Sequence, residues 1–175
     1  AAAIEAMTDA MAPRGPDGRG VAVFGRVGFG HRRLKIIDLS DAAAQPFVDT
    51  ALGLSIAFNG CIYNYPELRD ELIGLGHSFA STGDTEVILK AWAEWGPAAV
   101  PKLHGMFAFA IYDRASGRVA FVRDRFGIKP LYFAETPGRL RFASTLPALL
   151  AAGDVDTAID PVALHHYMSW HAVVP

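Results

Sequence analysis

The chain is organised around one stretch, Phe58-Asn59-Gly60-Cys61-Ile62-Tyr63-Asn64-Tyr65. Alternating apolar residues predict a strand over residues 54–58 that ends at this stretch, and Pro66 is typical of the first turn of the helix predicted to follow. A strand that ends on Asn-Gly brings a side-chain amide and an unobstructed backbone N–H to one point. These are two donors of the kind that form an oxyanion hole. Asn59 and Gly60 are therefore candidate catalytic residues.

The composition is that of one domain with a sizeable core, because 51% of the 175 residues are apolar. The 16 Lys and Arg residues nearly balance the 18 Asp and Glu residues, so no nucleic-acid partner is expected. No apolar run reaches the length of a membrane span, so no membrane partner is expected either. The single cysteine, Cys61, excludes an internal disulfide and fits a reducing compartment, which favours a cytoplasmic location.

The order of the predicted elements indicates the fold class. Helices are predicted over residues 3–11, 65–75 and 146–152, from an opening segment at residues 81–86 as far as residue 95, and from Asp160 onward. Strands are predicted over residues 21–24, 27–30, 54–58, 106–112, 119–122, 131–134 and 140–144, with residues 31–38 in a strand or extended segment and residues 40–50 in a loop. Strands linked by hairpins, without regular βαβ alternation, favour an α+β fold of two antiparallel sheets with helices outside.

Three local features are predicted from residue spacing. Asn64 and Glu67 are spaced as a capping box for the helix that follows them. Gly76 is predicted to stop that helix. The cluster Arg123-Asp124-Arg125 predicts a turn that is held by ion pairs.

Two further residues carry charges that suit an amino-acid ligand. Arg33 can hold a carboxylate in a bidentate grip, and Asp84, near a helix start, can bind an ammonium group or simply cap the helix. Together with Asn59 and Gly60 they would suit an α-amino acid whose side-chain carbonyl is attacked. Each residue also has a purely structural interpretation, as a turn, a helix cap or a solvated charge. The six His residues show no metal-binding spacing, so no metal site is predicted.

Seven motifs in order make the sequence similar to a known family. They are Arg14-Gly15-Pro16-Asp17, Gly30-His31-Arg32-Arg33-Leu34-Lys35-Ile36-Ile37-Asp38, Gln45-Pro46, Asn59-Gly60-Cys61-Ile62-Tyr63-Asn64, Asp84-Thr85-Glu86, Gly105-Met106-Phe107-Ala108-Phe109-Ala110 and Arg123-Asp124-Arg125-Phe126-Gly127-Ile128-Lys129-Pro130-Leu131-Tyr132. From about Met7 to Pro175 the chain resembles the glutaminase domain of the asparagine synthetase family, a class II (N-terminal nucleophile) glutamine amidotransferase. Asn59-Gly60-Cys61 and the final five residues, 171–175, are most similar to the N-acetylglutaminylglutamine amide synthase branch.

The resemblance implies a fold and a reaction. The fold is a four-layer αββα sandwich of two antiparallel sheets, lacking the first strand, over residues 1–160, with residues 161–175 starting the connection to a C-terminal synthetase domain. The reaction is the hydrolysis of glutamine to glutamate and ammonia, which passes to the synthetase domain. No cofactor is expected in this domain, and ATP and Mg are expected in the synthetase domain. The implied partners are glutamine, that synthetase domain and, as one option, a second copy in a homodimer.

The resemblance also implies roles for individual residues. Arg33 grips the α-carboxylate of glutamine, Asn59 and Gly60 form the oxyanion hole, and Asp84 helps to hold the α-amino group. Cys61 occupies a substrate-binding position where many family members have Glu, and a neutral thiol cannot supply that charge.

The nucleophile is the main departure from the family pattern. In the family it is a Cys at the processed N-terminus, whose own α-amino group serves as the base. Ala1 stands first in this sequence, so the strand carrying that Cys is expected upstream and the chain as printed is expected to be inactive as a glutaminase. Cys61 directly follows the oxyanion donors, but no His is placed beside it as a base by sequence.

Two other functions stay open at this point. One is a non-catalytic domain that binds glutamine or serves as a scaffold for a synthetase. An upstream Met followed directly by Cys would favour the enzyme over this alternative. The other is a fold relative with an unrelated amide-hydrolase role, which the presence of Asn59 and Arg33 does not favour.

Overall fold

The computed structural model describes residues 2–172. Ala1 and residues 173–175 lie outside the described residues. Residues 173–175 include the end of the predicted connection, residues 161–175, and of the stretch 171–175 that is similar to one branch of the family. The helices are α1 (Ala2–Ala10), α2 (Tyr65–Gly74), α3 (Asp84–Trp95), α4 (Leu146–Leu150) and α5 (Pro161–Trp170). The strands are β1 (Gly18–Phe24), β2 (Val27–Arg33), β3 (Phe47–Asp49), β4 (Leu54–Ile62), β5 (Gly105–Asp113), β6 (Arg118–Arg123), β7 (Tyr132–Thr136) and β8 (Arg139–Ala143). Short 3-10 helices lie at Ala12–Arg14, Asp41–Ala43 and Gly96–Lys102.

The strands and helices form four layers. Strands β3 to β6 form one antiparallel sheet in the order β3-β4-β5-β6, and β1–β2 and β7–β8 form two separate antiparallel hairpins. Helices α2 and α3 share a hydrophobic core with the four-stranded sheet, and α1 and α4 pack on the hairpins. The α+β class and the αββα arrangement predicted from the sequence are therefore confirmed. The second β layer consists of the two hairpins within the described residues.

Alternation along β4 and β5 sorts side chains between two cores, because successive residues of a strand point to opposite faces. Ile56, Phe58 and Ile62 of β4 pack with α2 and α3 in the larger core. On the opposite face, aromatic rings join the sheet to the hairpins, as in the contact of Phe121 with Phe133, whose centroids are 5.2 Å apart. β5 is buried on both faces between residues 107 and 111, which suits its continuous apolar run.

β4 does not end where the sequence predicted. It continues through Asn59 and Gly60 to Ile62 and pairs with β5 along its whole length. The predicted strand end at residue 58 was wrong because Asn-Gly lies here inside a ladder, where the missing Cβ of Gly60 lets the facing strand approach closely. The predicted loop over residues 40–50 was also wrong in part, since Phe47–Asp49 forms the short edge strand β3.

The structure corrects the predicted roles of Asn64 and of the turn at residues 123–125. The Asn64 side chain does not cap α2. Instead it bridges to the loop before β5, donating to Lys102 O (3.0 Å) and accepting from His104 N (2.9 Å). The turn after β6 is held by the Asp124 carboxylate, which accepts from the backbone N–H groups of Phe126, Ile128 and Lys129. These hydrogen bonds stand in place of the predicted ion pairs. Gly76 has a φ of 97° and ends α2 as predicted.

The ion pair of Asp49 with Lys90 is expected to stabilise the folded state. Burial alone would raise the pKa of Asp49, but hydrogen bonds, first that from Lys90 Nζ at 2.6 Å, hold it below its ordinary value. A lowered pKa in the folded state stabilises the fold above the pKa of the unfolded state, about 3.9, and this stabilisation is lost as the pH falls through the folded-state pKa. Asp49→Asn is therefore expected to lower the free energy of unfolding by about 2 kcal/mol at pH 7 and by much less at pH 2.5.

Urea unfolding at both pH values measures this effect. Asp41→Asn is the matched control, because Asp41 forms an exposed pair with Lys35 and exposed pairs contribute less than about 1 kcal/mol. An equal loss for Asp49→Asn at pH 7 and pH 2.5 would show that its charge does not stabilise the fold.

Candidate functional site

The edge of β4 that faces away from β5 is open at the centre of the candidate site. N–H groups of alternate residues in a strand point to the same edge. On this edge Phe58 N donates to Gln45 Oε1 at 2.7 Å, and Ile62 N donates to Asp84 Oδ2 at 3.0 Å. Gly60 lies midway between them, so its N–H points into the gap between the Gln45 amide and the Asp84 carboxylate.

The facing strand supports this direction for the Gly60 N–H. Gly60 lies opposite Phe107 in the β4–β5 register. The backbone of Phe107 turns away from β4, since its N–H donates to Asp124 Oδ2 (3.2 Å) and its C=O accepts from Asp124 N (2.7 Å). In an antiparallel pair, the residue opposite then also turns its backbone away. Gly60 therefore offers the site an N–H donor that has no acceptor within residues 2–172.

Four of the five predicted site residues line one cavity of about 220 Å³, and they are Arg33, Asn59, Gly60 and Asp84. Within the described residues, the Asn59 carboxamide makes no hydrogen bond, so its donor and acceptor atoms are available to a ligand. The fifth residue, Cys61, is not among the residues that line this cavity. Asn59 and Gly60 thus place a side-chain donor and a backbone donor at one point, as their adjacency predicted.

Arg33 is buried at the end of β2, with 9% of its surface exposed. Its guanidinium donates to Ser40 O at 2.7 Å and to Asp38 O. A guanidinium has five N–H donors, so three remain after these two bonds to the loop. Arg33 can therefore hold an anionic ligand while the loop fixes its orientation.

Asp84 lies in the first turn of α3 and is 6% exposed. Its carboxylate accepts from Ile62 N rather than serving only its own helix. Burial raises the pKa of Asp84 above its ordinary value, and backbone N–H groups, including that of Ile62, offset part of the rise. An ammonium group in the cavity would stabilise the ionised form of the Asp84 carboxylate, because a nearby positive charge lowers the pKa of a carboxyl group.

Cys61 is a half-buried cysteine with a free thiol. Burial, and then the negative charge of Asp84, raise the pKa of Cys61, while Lys129 offsets part of the rise. Because the thiolate is the reactive form, a raised pKa disfavours a nucleophilic role. Alternation along β4 places the Cys61 side chain on the same face as Asn59, but Cys61 does not line the cavity that Asn59 lines.

The structure adds residues that sequence spacing did not assign to the site. Gln45 joins β4 to α3, because its Oε1 accepts from Phe58 N and its Nε2 donates to Thr85 Oγ1 at 3.2 Å. His31 donates to Phe58 O at 3.1 Å, and burial lowers the pKa of His31 to about 4, so the ring is neutral at pH 7. Both residues belong to motifs that carry the family resemblance, Gln45-Pro46 and the segment 30–38, and those motifs were the sequence signal for them.

The cavity has a surplus of positive charge. The residues that line it include four with cationic side chains, Arg14, Arg32, Arg33 and Lys129, and two with carboxylates, Asp38 and Asp84. Arg32 is paired with Asp9 outside the cavity, at 2.7 Å. The balance suits a small ligand that carries at least one carboxylate.

Two further classes of site are absent from residues 2–172. No group of three or more His, Cys, Asp or Glu side chains there could hold a metal ion. No helix in the same range is long and apolar enough to cross a membrane.

The fold and the cavity define a class of protein. The chain superposes on glutamine phosphoribosylpyrophosphate amidotransferase from B. subtilis with a TM-score of 0.73, at 21% sequence identity, over 87% of this chain and 41% of that one. The chain therefore shares the fold of that amidotransferase over most of its length. The chain belongs to the family described as glutamine amidotransferase domain, which matches residues 1–175.

Two curated relatives confirm the resemblance to the asparagine synthetase family. Asparagine synthetase (glutamine-hydrolyzing) 1 of Bacillus subtilis (strain 168) is 42% identical over 170 residues, which is 97% of this chain and 27% of the relative. Asparagine synthetase (glutamine-hydrolyzing) 3 of the same organism is 37% identical over 163 residues, or 92% of this chain and 26% of the relative. The chain thus spans about a quarter of the length of these relatives.

Proposed function

We propose that this domain hydrolyses the side-chain amide of glutamine and supplies the ammonia to a synthetase part of a longer polypeptide. The observation that carries the proposal is the free Gly60 N–H, which points into the gap between Gln45 and Asp84 beside the unbonded Asn59 carboxamide. Two unpaired donors at one point match an oxygen that gains negative charge during attack on a carbonyl carbon.

The remaining cavity residues suit the two ends of an α-amino acid. The α-carboxylate would accept from the free N–H groups of Arg33, which the loop at Asp38 and Ser40 holds in place. The α-ammonium would lie against Asp84, whose pKa would fall towards its ordinary value on pairing. The side-chain carbonyl oxygen would then accept from Asn59 and Gly60, which leaves its carbon open to a nucleophile.

The nucleophile is proposed to lie outside residues 1–175. Cys61 has a raised pKa and does not line the cavity, so it lacks both the thiolate and the position that attack requires. The resemblance to class II amidotransferases assigns this role to an N-terminal Cys whose α-amino group acts as the base.

The proposed acceptor of the ammonia is a synthetase domain in the same polypeptide, which would bind ATP and Mg. Two observations support it: the curated relatives are about four times as long as this chain, and α5 has no buried residue although it is rich in apolar side chains. Its exposed members are Val162, Leu164, Tyr167, Met168 and Trp170. Residues 1–160 would then form the glutaminase domain and residues 161–175 its connection, in the cytoplasm. Whether the acceptor is aspartate or a dipeptide, as in the N-acetylglutaminylglutamine amide synthase branch, stays a prediction.

Glutamate release from glutamine tests the proposal, measured on the complete encoded polypeptide and separately on the 175-residue chain. Release by the polypeptide but not by the chain would support both the glutaminase function and a nucleophile outside these residues. Release by the chain alone would make Cys61 the leading nucleophile. Calorimetric binding of glutamine without release by either protein would favour the glutamine-binding or scaffold alternative.

Substitution of Cys61 tests its role directly. Cys61→Ser in the complete polypeptide is expected to keep at least about a third of kcat/KM for glutamine, because serine preserves the size of the side chain and no bond to Cys61 is made or broken. Steady-state glutamate release measures the effect. A correctly folded Cys61→Ser protein without any glutaminase activity would contradict the assignment.

A further inference from the structure

Asp38 lines the candidate cavity, and its carboxylate accepts four hydrogen bonds from the protein. It is 7% exposed. Its Oδ1 accepts from the N–H and the hydroxyl of Ser40, at 2.7 and 2.6 Å. Its Oδ2 accepts from the N–H and the hydroxyl of Thr82, at 2.7 and 2.9 Å. Both oxygens are thus occupied by protein donors.

These bonds join two segments that lie far apart in sequence. Ser40 belongs to the same loop as Asp38, whereas Thr82 lies 44 residues further along, directly before α3. Gly83 separates Thr82 from Asp84 and packs against this junction, since a Cβ on Gly83 would lie 3.5 Å from the Asp38 Cβ. The Asp38 carboxylate therefore fixes the distance between its loop and the start of α3.

The same loop determines where the Arg33 guanidinium lies. Arg33 donates to Ser40 O at 2.7 Å and to the backbone oxygen of Asp38. The loop thus accepts two of its five N–H donors. A shift of the loop would carry the guanidinium with it, and Asp84 would stay with α3.

We propose that Asp38 is a positioning residue that sets the distance between Arg33 and Asp84, and so selects amides that carry an α-carboxylate next to an α-ammonium. Asp38 acts through Arg33 and does not itself touch the substrate, because both of its oxygens are occupied. This inference rests on the proposed glutamine hydrolysis, and it names the specificity device of the same site.

Asp38→Asn in the complete encoded polypeptide tests the proposal. The amide replaces one acceptor oxygen by an NH₂ group, which faces the Ser40 or Thr82 donors and loosens the clamp. KM for glutamine is expected to rise about tenfold or more, with kcat within about threefold, because one charge-assisted contact to the carboxylate is weakened. In an Arg33→Met background, Asp38→Asn is expected to change KM by less than about twofold, since the two residues act in series.

A truncated substrate and a matched variant separate positioning from general structure. 4-Aminobutanamide lacks the α-carboxylate, so Asp38→Asn is expected to leave its kcat/KM within about twofold of the wild-type value. Asp41→Asn changes an exposed carboxylate of the same loop and is expected to leave KM for glutamine unchanged. Thermal unfolding of each variant shows whether the fold is retained.

The outcomes distinguish this inference from the proposed function. An unchanged KM in Asp38→Asn, or equal losses for glutamine and 4-aminobutanamide, would overturn the positioning role while glutamine hydrolysis by the wild type stands. If the wild type releases no glutamate, the proposed function fails. Calorimetric affinities of glutamine for the wild type, Asp38→Asn and Arg33→Met then decide the role of Asp38, with equal affinities overturning it.

Discussion

Replacing Asn59 with alanine is expected to lower kcat for glutamine hydrolysis by about 10²–10³, which corresponds to about 2.7–4 kcal/mol of lost transition-state stabilisation. The Asn59 carboxamide lines the cavity and makes no hydrogen bond within residues 2–172. A donor that is free in the ground state contributes most where the carbonyl oxygen gains negative charge. The loss should therefore fall on kcat, with KM within about threefold of the wild-type value.

Because the Asn59 carboxamide makes no hydrogen bond within residues 2–172, Asn59→Ala is expected to fold normally. Asn64→Ala is the matched control, because Asn64 is another carboxamide on the same segment but bonds to Lys102 O and His104 N. We expect Asn64→Ala to lower Tm and to leave kcat within about threefold. Parallel kinetics and thermal unfolding of both variants measure this contrast. A wild-type kcat in Asn59→Ala would remove Asn59 from the oxyanion hole, and a change in KM alone would make it a residue of substrate binding.

Much of the fold followed from local sequence signals. Turn glycines such as Gly117 and Gly138, which have positive φ angles, separate apolar runs that form strands in the structure. The helix predicted from Asp160 onward forms as α5, and Asp160 caps it, since its side chain accepts from Val162 N. These features depend on residues that are near in sequence, so composition and spacing can reveal them.

The features that the sequence did not reveal depend on distant residues. The end of β4 was misplaced because Asn59 and Gly60 carry a strong turn signal. The pairing of β4 with β5 along its whole length overrides that signal and cannot be seen locally. Asn64 bonds to a backbone oxygen 38 residues away instead of capping its own helix. Local propensity indicates which residues favour turns or helix caps, but it cannot identify the distant residues with which they pair.

The candidate site divides in the same way. Arg33, Asn59, Gly60 and Asp84 were predicted from motifs, and the structure brings all four to one cavity. The direction of the Gly60 N–H could not be predicted, because it depends on Gln45 and Asp84 occupying the edge positions on either side. A motif identifies which groups are present, whereas the ladder register determines which of their atoms remain free for a ligand.

Gly60→Ala is expected to damage both stability and catalysis, because β5 leaves no room for a side chain at this position. A Cβ on Gly60 would lie 2.8 Å from the Cα of Phe107 and would press on the backbone oxygen of Met106. These neighbours are backbone atoms of a buried strand, so relief requires the two central strands to separate. We expect a loss of about 3 kcal/mol in the free energy of unfolding, or on the order of 5–10 °C in Tm.

Separation of the strands would also turn the Gly60 N–H away from the gap between Gln45 and Asp84, so kcat for glutamine hydrolysis should fall by at least about 10² in the protein that remains folded. Gly74→Ala is the matched control: a Cβ there meets nothing within 4 Å, and in a helix alanine is favoured over glycine by about 0.5–1 kcal/mol. Tm and kcat of both variants, measured well below their unfolding temperatures, separate the two effects. Wild-type stability in Gly60→Ala would contradict the close approach of β4 and β5. A lowered Tm with an unchanged kcat would show that the N–H of Gly60 does not serve the oxyanion, and only a combined loss supports both roles of this glycine.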